Sequence, residues 1–297
     1  MVDRPVLHVI AGPTAAGKSA RALALAEATG GVILNADASQ LYRDLRVVTA
    51  RPAAEEEARA EHRLYGVLSA TEVASAAWWA GAARAELAAL RAAGRVPILV
   101  GGTGLYLMAL LEGLAPVPPI PEEVRAAVRA LPLEEARAAL AVADPAAAAR
   151  LKPGDSQRIR RALEVVRATG RPLAHWQVRR SGGVAGAWDV RAELVDPGRA
   201  ALAQRASARI AAMWAAGAAD EVAALLAKGL DPGLPVMKAV GVRPLAAWLS
   251  GRLDRADASD AWLTETLQLA KRQRTWWRGQ GAALLAGVGG AGTLPAG

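Results

Sequence analysis

The segment from Gly12 to Ser19 restricts the possible fold of this chain more than any other. It lies between an apolar run, Val6–Ala11, and a segment rich in Ala and Leu, Ala20–Ala28. The order of strand, glycine loop and helix is typical of a phosphate-binding loop, in which backbone N–H groups and the positive end of the helix face an anion. The sequence therefore predicts an α/β fold with a site for a phosphorylated compound. The residues predicted to bind the phosphates are Gly12, Pro13, Thr14, Ala15, Ala16, Gly17, Lys18 and Ser19.

Two side chains of this loop suggest more specific roles. Lys18 carries a positive charge that can reach the distal phosphates, and the hydroxyl of Ser19 suits a ligand of Mg²⁺. The loop does not by itself identify the phosphate compound or the reaction.

The composition excludes several classes of protein. The chain has 297 residues, of which 53% are hydrophobic, and no apolar run approaches the roughly 20 residues of a membrane helix. It contains no cysteine, which excludes disulfides and thiolate metal sites. Its first residues show no basic, apolar and cleavage regions in the order of an export signal. We expect a cytoplasmic protein with no membrane association.

The charge balance suggests a polyanionic partner. Lys and Arg number 36 against 28 Asp and Glu, giving a net charge of +8. Such an excess suits RNA, although a solvated surface rich in Arg would produce the same total.

A second buried strand is predicted over Val32–Ala36, immediately before Asp37. Ligands of open parallel sheets lie beyond the carboxyl ends of the strands, so Asp37 is expected to face the same cleft as the glycine loop. Its carboxylate can serve there as a Mg²⁺ ligand or as a general base. A third interpretation is structural, with Asp37 capping the turn through residues 38–40.

The third predicted strand, Arg95–Val100, ends differently from the corresponding strand of ATP-hydrolysing enzymes. It is followed by Gly101-Gly102-Thr103-Gly104 rather than by a carboxylate. This favours binding of phosphate over metal-dependent ATP hydrolysis. The polar, acidic stretch 51–71 between the second and third strands shows little periodicity and is expected to be a mobile flap over the cleft.

The sequence predicts two domains. Residues 116–121 are rich in proline and are followed by short helices up to about residue 180 with almost no strand signal. The strand pattern resumes at Trp188–Val195, where we expect the chain to rejoin the first sheet. The predicted parts are a discontinuous catalytic core, 1–115 and 187–286, a helical insertion, 116–186, and a disordered tail, 287–297.

One helix of the insertion is a candidate RNA contact. It is predicted to start at Asp155 or Ser156 and to end at Thr169. Its predicted buried stripe consists of Ile159, Ala162, Leu163 and Val166, and its opposite face of Gln157, Arg160, Arg161 and Glu164, with Arg158 at the border. Arginines beside a glutamine suit contacts to phosphates and base edges, or alternatively a solvated surface.

Two later helices have basic residues that allow two interpretations each. Arg205 and Arg209 are four residues apart, so they share a helix face that meets either a pyrophosphate or solvent. The basic segment that ends in Trp276, Trp277 and Arg278 suits either stacking on nucleotides or packing on the core.

Seven segments together resemble one known family, the tRNA dimethylallyltransferases. In order along the chain they are Gly12–Ser19, Asn35–Tyr42, Thr49–Pro52, His62–Leu64, Val100–Tyr106, Gln157–Glu164 and Ala270–Gln273. The resemblance implies a P-loop NTPase-like parallel sheet core with an all-helical insertion domain. It also implies transfer of a dimethylallyl group from dimethylallyl diphosphate to N6 of the adenosine 3′-adjacent to the anticodon, in tRNAs reading codons that begin with U.

The resemblance also implies residue roles. Asp37 would take the proton from the adenine amine, with Thr103 and Arg125 as further catalytic residues, and Ser19 would hold Mg²⁺. Apart from the resemblance, we expect a monomer. The residues implied to contact tRNA are Asp37, Ala38, Ser39, Gln40, Thr103, Arg125, Gln157, Arg158, Ile159, Arg160 and Arg161.

Some positions depart from the family pattern, and three rival functions stay open. Ala38, Val48, Gly66 and Leu267 replace the usual Ser, Gly, Asp and Arg. An adenylate isopentenyltransferase would share the chemistry but act on free nucleotides, which need no extended cationic face. A P-loop kinase would need only the glycine loop, and an RNA-binding NTPase would leave prenyl diphosphate untouched.

Overall fold

The computed structural model describes residues 4–287. Five parallel strands form its main sheet in the order β3-β2-β4-β1-β7, and two short strands pair separately. The strands are β1 (Val6–Ala11), β2 (Val32–Asn35), β3 (Glu61–Arg63), β4 (Pro97–Gly101), β5 (Gly113–Leu114), β6 (Ser181–Gly182) and β7 (Asp189–Leu194).

Helices make up most of the remaining described chain. They are α1 (Lys18–Thr29), α2 (Ala54–Arg59), α3 (Ala76–Ala92), α4 (Gly104–Leu111), α5 (Glu122–Ala130), α6 (Leu133–Ala143), α7 (Pro145–Arg150), α8 (Ser156–Thr169), α9 (Leu173–Gln177), α10 (Arg199–Ala215), α11 (Ala218–Leu226), α12 (Val242–Leu249), α13 (Arg255–Trp276) and α14 (Ala282–Gly287). A π-helical turn, Trp277–Gly281, joins α13 to α14. Within residues 4–287, no helix is long and apolar enough to cross a membrane.

The central strands are buried on both faces, as expected for a parallel sheet. Ile10, Ile33 and Ile98 pack against the apolar side of α1 on one face. The residues beside them in each strand, such as Val9 and Leu99, are also fully buried and point to the opposite face. The predicted α/β class is therefore confirmed, including the return of the chain to the sheet at β7.

The stretch 51–71 corrects one expectation, because it is not an irregular flap. It contains helix α2 and strand β3, which pairs with β2 through His62 and Arg63 at the edge of the sheet. An edge strand of three polar residues has no alternating apolar pattern, which explains why no strand was predicted there.

The described chain divides into two compact units. The sheet unit extends to Glu112 and resumes at Val184, whereas the helical unit comprises Gly113–Gly183. Both boundaries lie a few residues before the predicted ones. The helical unit is not entirely helical, since β5 and β6 pair antiparallel where the chain enters and leaves it.

Helix α8 is the central element of the helical unit. Ile159, Ala162 and Leu163 are buried in an apolar cluster with residues of α5, α6 and α7, as the stripe predicted. Glu164 was expected on the exposed face, but it is buried and lies near Arg129 and Arg161, 3.5 and 3.7 Å from them. Two guanidinium groups compensate for the burial of its charge.

The C-terminal helices of the sheet unit pack on its core. Trp277 is buried, and the ring of Trp276 lies directly over Gly104. Both indoles are therefore packing residues rather than a free platform for nucleotides. Of the predicted disordered tail, Gly287 ends α14, and 288–297 lie outside the described residues.

Candidate active site

A cavity of about 520 Å³ opens at the carboxyl edge of the main sheet. The parallel pairing brings together the segments that follow β1, β2 and β4, and helices α10 and α13 complete the wall. All its lining residues belong to the sheet unit. The glycine loop and Asp37, which are far apart in the sequence, therefore face one cleft, as strand-end reasoning predicted.

The glycine loop adopts a conformation that glycine makes possible. Gly12 has φ of +144°, and a Cβ there would lie 2.2 Å from the carbonyl oxygen of Val195. Gly17 has φ of +96° at the N-cap of α1. Ala15 also has a positive φ, +61°, which is unfavourable for a residue with a side chain. The backbone thus holds strain at the point where the loop turns towards the cavity.

Lys18 lies within the loop that it is expected to serve. Its Nζ donates a 2.6 Å hydrogen bond to the carbonyl oxygen of Pro13. Burial lowers the pKa of Lys18 to about 8, the nearby carboxylate of Asp37 opposes this change, and Arg209 adds to it. An anionic ligand in the cleft would favour the charged form of this amine. Ser19, in the first turn of α1, is exposed and lines the cavity.

Two arginines of α10 support the loop from the side. Arg205 donates to the carbonyl oxygen of Ala16 at 2.8 Å, and Arg209 donates to Oγ1 of Thr14 at 2.7 Å. From the sequence, either a pyrophosphate or solvent was predicted to contact the helix face that Arg205 and Arg209 share. Both line the cavity, so the N–H groups of Arg205 and Arg209 that do not bond the glycine loop lie beside it.

Gln273 connects the two glycine-containing loops, a role that no sequence signal assigned to it. Its Oε1 accepts from the backbone N–H of Thr14 at 2.8 Å, and its Nε2 donates to the carbonyl oxygen of Gly102 at 3.1 Å. The next residue, Arg274, forms a 2.7 Å ion pair with Asp196, which follows β7. The segment Ala270–Gln273 was part of the family resemblance, and the structure shows how it fixes the end of α13 at the sheet edge.

The position of Asp37 is compatible with both a structural and a chemical role. Its Oδ1 accepts from both the backbone N–H and the hydroxyl of Ser39, at 3.0 and 2.7 Å, so the side chain does cap the following turn. Its Oδ2 forms no hydrogen bond with any residue in the range 4–287. The carboxylate is half-buried and lines the cavity, so one anchored oxygen leaves the other for a ligand.

Thr103 and Gln40 are both engaged within the sheet unit. The Oγ1 atom of Thr103 accepts from the N–H of Ala38 at 3.0 Å, which ties the loop after β4 to the loop after β2. The Nε2 atom of Gln40 donates to the carbonyl oxygens of Thr49 and Ala50, at 2.9 and 2.7 Å. These bonds shape the cavity wall, whatever contacts a ligand adds.

Apolar side chains also line the cavity, beside the further cations Lys238 and Arg272. Tyr106 stacks on Trp79 with ring centroids 4.9 Å apart, and burial raises the pKa of Tyr106. A cavity that combines the polar glycine loop with apolar side chains suits a ligand with a phosphate group and a hydrocarbon part. The main apolar lining residues are Val48, Ile210, Met213, Trp262 and Leu269.

The remaining predicted site residues lie in the helical unit. Arg125 is on α5, 3.7 Å from Glu122. On α8, Gln157 and Arg158 are exposed, whereas Ile159 is buried in the apolar cluster. The next two arginines are half-buried and engaged within the helical unit. Arg160 donates to the carbonyl oxygen of Leu131 at 3.1 Å, and Arg161 lies near Glu164.

The residues present are compatible with a Mg²⁺ ion held mainly by a phosphorylated ligand. Within the described chain, no group of three or more His, Asp or Glu side chains could hold a metal by itself. Mg²⁺ commonly keeps several waters and takes one or two protein ligands together with substrate phosphates. The exposed hydroxyl of Ser19 at the start of α1 fits one such ligand.

The fold and the cleft define an α/β protein with a P-loop-like parallel sheet. Comparison with known proteins specifies the family. The IPP transferase family model matches residues 40–280, and the chain belongs to that family. It is a prenyltransferase, and the expectation drawn from the seven motifs is confirmed.

Individual relatives agree. The chain is 54% identical to the tRNA dimethylallyltransferase of Sphingopyxis alaskensis, over 92% of this chain and 90% of that protein. The crystal structure of the tRNA isopentenylpyrophosphate transferase of Bacillus halodurans matches with a TM-score of 0.65 and 28% identity, covering 93% of this chain and 88% of that one. A eukaryotic dimethylallyltransferase acting on tRNA shares the fold, with a TM-score of 0.81 at 22% identity over 95% of this chain and 72% of that one.

Proposed function

We propose that this enzyme transfers the dimethylallyl group of dimethylallyl diphosphate to N6 of the adenosine 3′-adjacent to the anticodon, in tRNAs that read codons beginning with U. The observation that carries the proposal is the single cleft shared by the glycine loop and the carboxylate of Asp37. Similarity to tRNA dimethylallyltransferases over most of the chain supports the choice of both substrates.

In the proposed reaction, Asp37 would act on the amine, and the glycine loop with its neighbouring cations would act on the diphosphate. The exocyclic amine of adenine attacks C1 of the dimethylallyl group, the N–C bond forms, and the C–O bond to diphosphate breaks with its electron pair leaving on oxygen. Oδ2 of Asp37 accepts the amine proton, because adenine amines are poor nucleophiles and gain from a positioned base. Lys18, Arg205 and Arg209 stabilise the negative charge that develops on the diphosphate.

Mg²⁺ would be held by Ser19 and the diphosphate. When bound, it would neutralise part of the charge of the leaving group. The chain's own contribution there is the orientation of the diphosphate by the backbone N–H groups of the glycine loop and by the N-terminus of α1.

The tRNA would contact Asp37 to Gln40, together with Thr103 and Arg125. On α8 it would contact Gln157, Arg158, Arg160 and Arg161, whereas Ile159 of the predicted set is buried. The net charge of +8 suits that polyanion. We propose that the enzyme acts as a monomer in the cytoplasm, where its tRNA substrate is found and where a chain without cysteine needs no oxidising environment.

The test is an incubation with radiolabelled dimethylallyl diphosphate, Mg²⁺ and unmodified tRNA, with AMP in a parallel reaction. Label in tRNA alone supports the proposal. Label in AMP would favour an adenylate isopentenyltransferase. Label in neither, with consumption of ATP instead, would favour a kinase or an NTPase.

A further inference from the structure

Asn35 is the last residue of β2, and its side chain forms hydrogen bonds with both the N–H and the carbonyl oxygen of Asp37. Its Oδ1 accepts from the N–H of Asp37 at 2.8 Å, and its Nδ2 donates to the carbonyl oxygen of the same residue at 3.0 Å. Nδ2 also donates to the carbonyl oxygen of Leu64 at 3.0 Å. Asn35 is fully buried, so these bonds form without competition from water.

The surrounding residues strengthen this arrangement. The carbonyl oxygen of Asn35 accepts from Nε1 of Trp79 at 2.9 Å, and Trp79 itself has no exposed surface. On the other side, Thr103 holds the two neighbours of Asp37, donating from its N–H to the carbonyl oxygen of Ala36 and accepting from Ala38. The backbone from Ala36 to Ala38 is therefore fixed by Asn35 at the end of β2 and by Thr103, which follows β4.

A rigid backbone matters here because the carboxylate of Asp37 uses only one oxygen for its own anchoring. Ser39 fixes Oδ1, and the direction of Oδ2 then depends on where the backbone of Asp37 is held. A base must lie within hydrogen-bond reach of the proton that it accepts, and small displacements reduce its effectiveness strongly.

We propose that Asn35 is a positioning residue for the base Asp37, which it holds by its backbone without touching substrate. This inference rests on the proposed function. An aspartate at position 35 would keep the acceptor but lose both donated bonds, and its charge would face the carbonyl oxygens of Asp37 and Leu64. A serine at position 35 would keep an acceptor on a shorter side chain. Its hydroxyl oxygen can accept from the N–H of Asp37, two residues later, as Ser does in ST-turns.

The test compares Asn35→Ala and Asn35→Ser with Val32→Ala, a truncation of another fully buried residue of β2. We expect Asn35→Ala to lower kcat by about 100-fold while the KM for dimethylallyl diphosphate changes little, since misplacement of a catalytic group acts on the chemical step. Asn35→Ser should recover much of that loss. Val32→Ala should lower stability while leaving the kcat of the folded enzyme near that of the wild type.

The proposal would be overturned if Asn35→Ala kept a kcat within threefold of the wild type, or if Val32→Ala lost kcat to the same extent. A second readout needs no activity. Hydrogen exchange at the amide of Asp37, followed by NMR, should accelerate on the order of tenfold or more in Asn35→Ala and much less in Val32→Ala. Unchanged exchange would refute the role of Asn35 in holding the backbone of Asp37. A wild-type enzyme that transfers no label to tRNA would refute only the proposed function.

Discussion

The arginines of the two units have different surroundings. In the sheet unit, Arg205 and Arg209 donate hydrogen bonds to the glycine loop and line the same cavity as Asp37. In the helical unit, Arg158 exposes 76% of its side chain, whereas Arg160 and Arg161 bond or lie close to groups of their own unit. We therefore expect substitutions in the sheet unit to affect chemistry, and substitutions on α8 to affect RNA affinity and stability.

The largest effect is expected at Asp37. Asp37→Asn keeps an oxygen that can accept from Ser39 but removes the base, so kcat should fall by about 10²–10⁴-fold. The affinity for tRNA should stay nearly unchanged, as measured by filter binding. Asp189→Asn, an exposed carboxylate on β7 beside Arg191, is the matched control and should leave kcat unaltered. Turnover close to normal in Asp37→Asn would remove this residue as the base.

The next effect concerns pH and Lys18. Because the pKa of Lys18 is about 8 in the free protein, its amine is charged below that pH and neutral above it. The affinity for inorganic diphosphate should therefore decrease as the pH rises from 7 to 9.5. Calorimetric titration of the wild type and of Lys18→Met measures this dependence. The variant, whose side chain is neutral throughout, should bind more weakly at pH 7 and lose less affinity on alkalinisation. Equal pH dependence in both proteins would assign the titration to another group.

A smaller effect is expected from Arg160, which joins α8 to Leu131. Arg160→Ala removes a hydrogen bond from a charged donor and should lower the free energy of unfolding by about 1.5 kcal/mol. Urea denaturation measures this change. Combined with Arg161→Ala, it should also weaken tRNA binding and reduce its salt dependence. An unchanged salt dependence in the double variant would place the RNA contact elsewhere.

The smallest effect is expected at Arg158. Arg158→Ala should leave stability unchanged, because the side chain is exposed and 3.5 Å from Asp155. If it contacts one phosphate, the slope of log K against log salt should decrease in magnitude by about 0.7, with a modest loss of tRNA affinity. Binding isotherms at several salt concentrations measure the slope. Lower stability with an unaltered slope would assign Arg158 a structural role within the helical unit instead of a tRNA contact.

The sequence predicted those features that depend on local pattern. The strand Val6–Ala11 has the predicted bounds, and the glycine loop and Asp37 lie at one sheet edge because the parallel order of strands requires it. Strand β3 was missed because three polar residues at a sheet edge have no periodic signal. Glu164 was placed on the wrong face because helical spacing does not reveal that Arg129, from another helix, lies beside it.

Other site residues could not be assigned because their roles depend on distant contacts. Gln273 lies more than 250 positions from Thr14, yet its side chain bonds the backbone of the glycine loop. Asn35 belonged to the predicted strand Val32–Ala36, and only the turn of the chain after β2 shows its contact with Asp37. Arg205 and Arg209 were recognised as a pair, but their partner required the position of α10.

The proposed reaction is tested most directly by locating the modified nucleotide on tRNA. After reaction of the wild-type enzyme with dimethylallyl diphosphate, nuclease digestion and mass spectrometry would locate the added group. We expect one dimethylallyl group on the adenosine 3′-adjacent to the anticodon, and at least about 100-fold less product when Asp37→Asn reacts for the same time. A group attached at another nucleotide, or full modification by Asp37→Asn, would contradict this expectation.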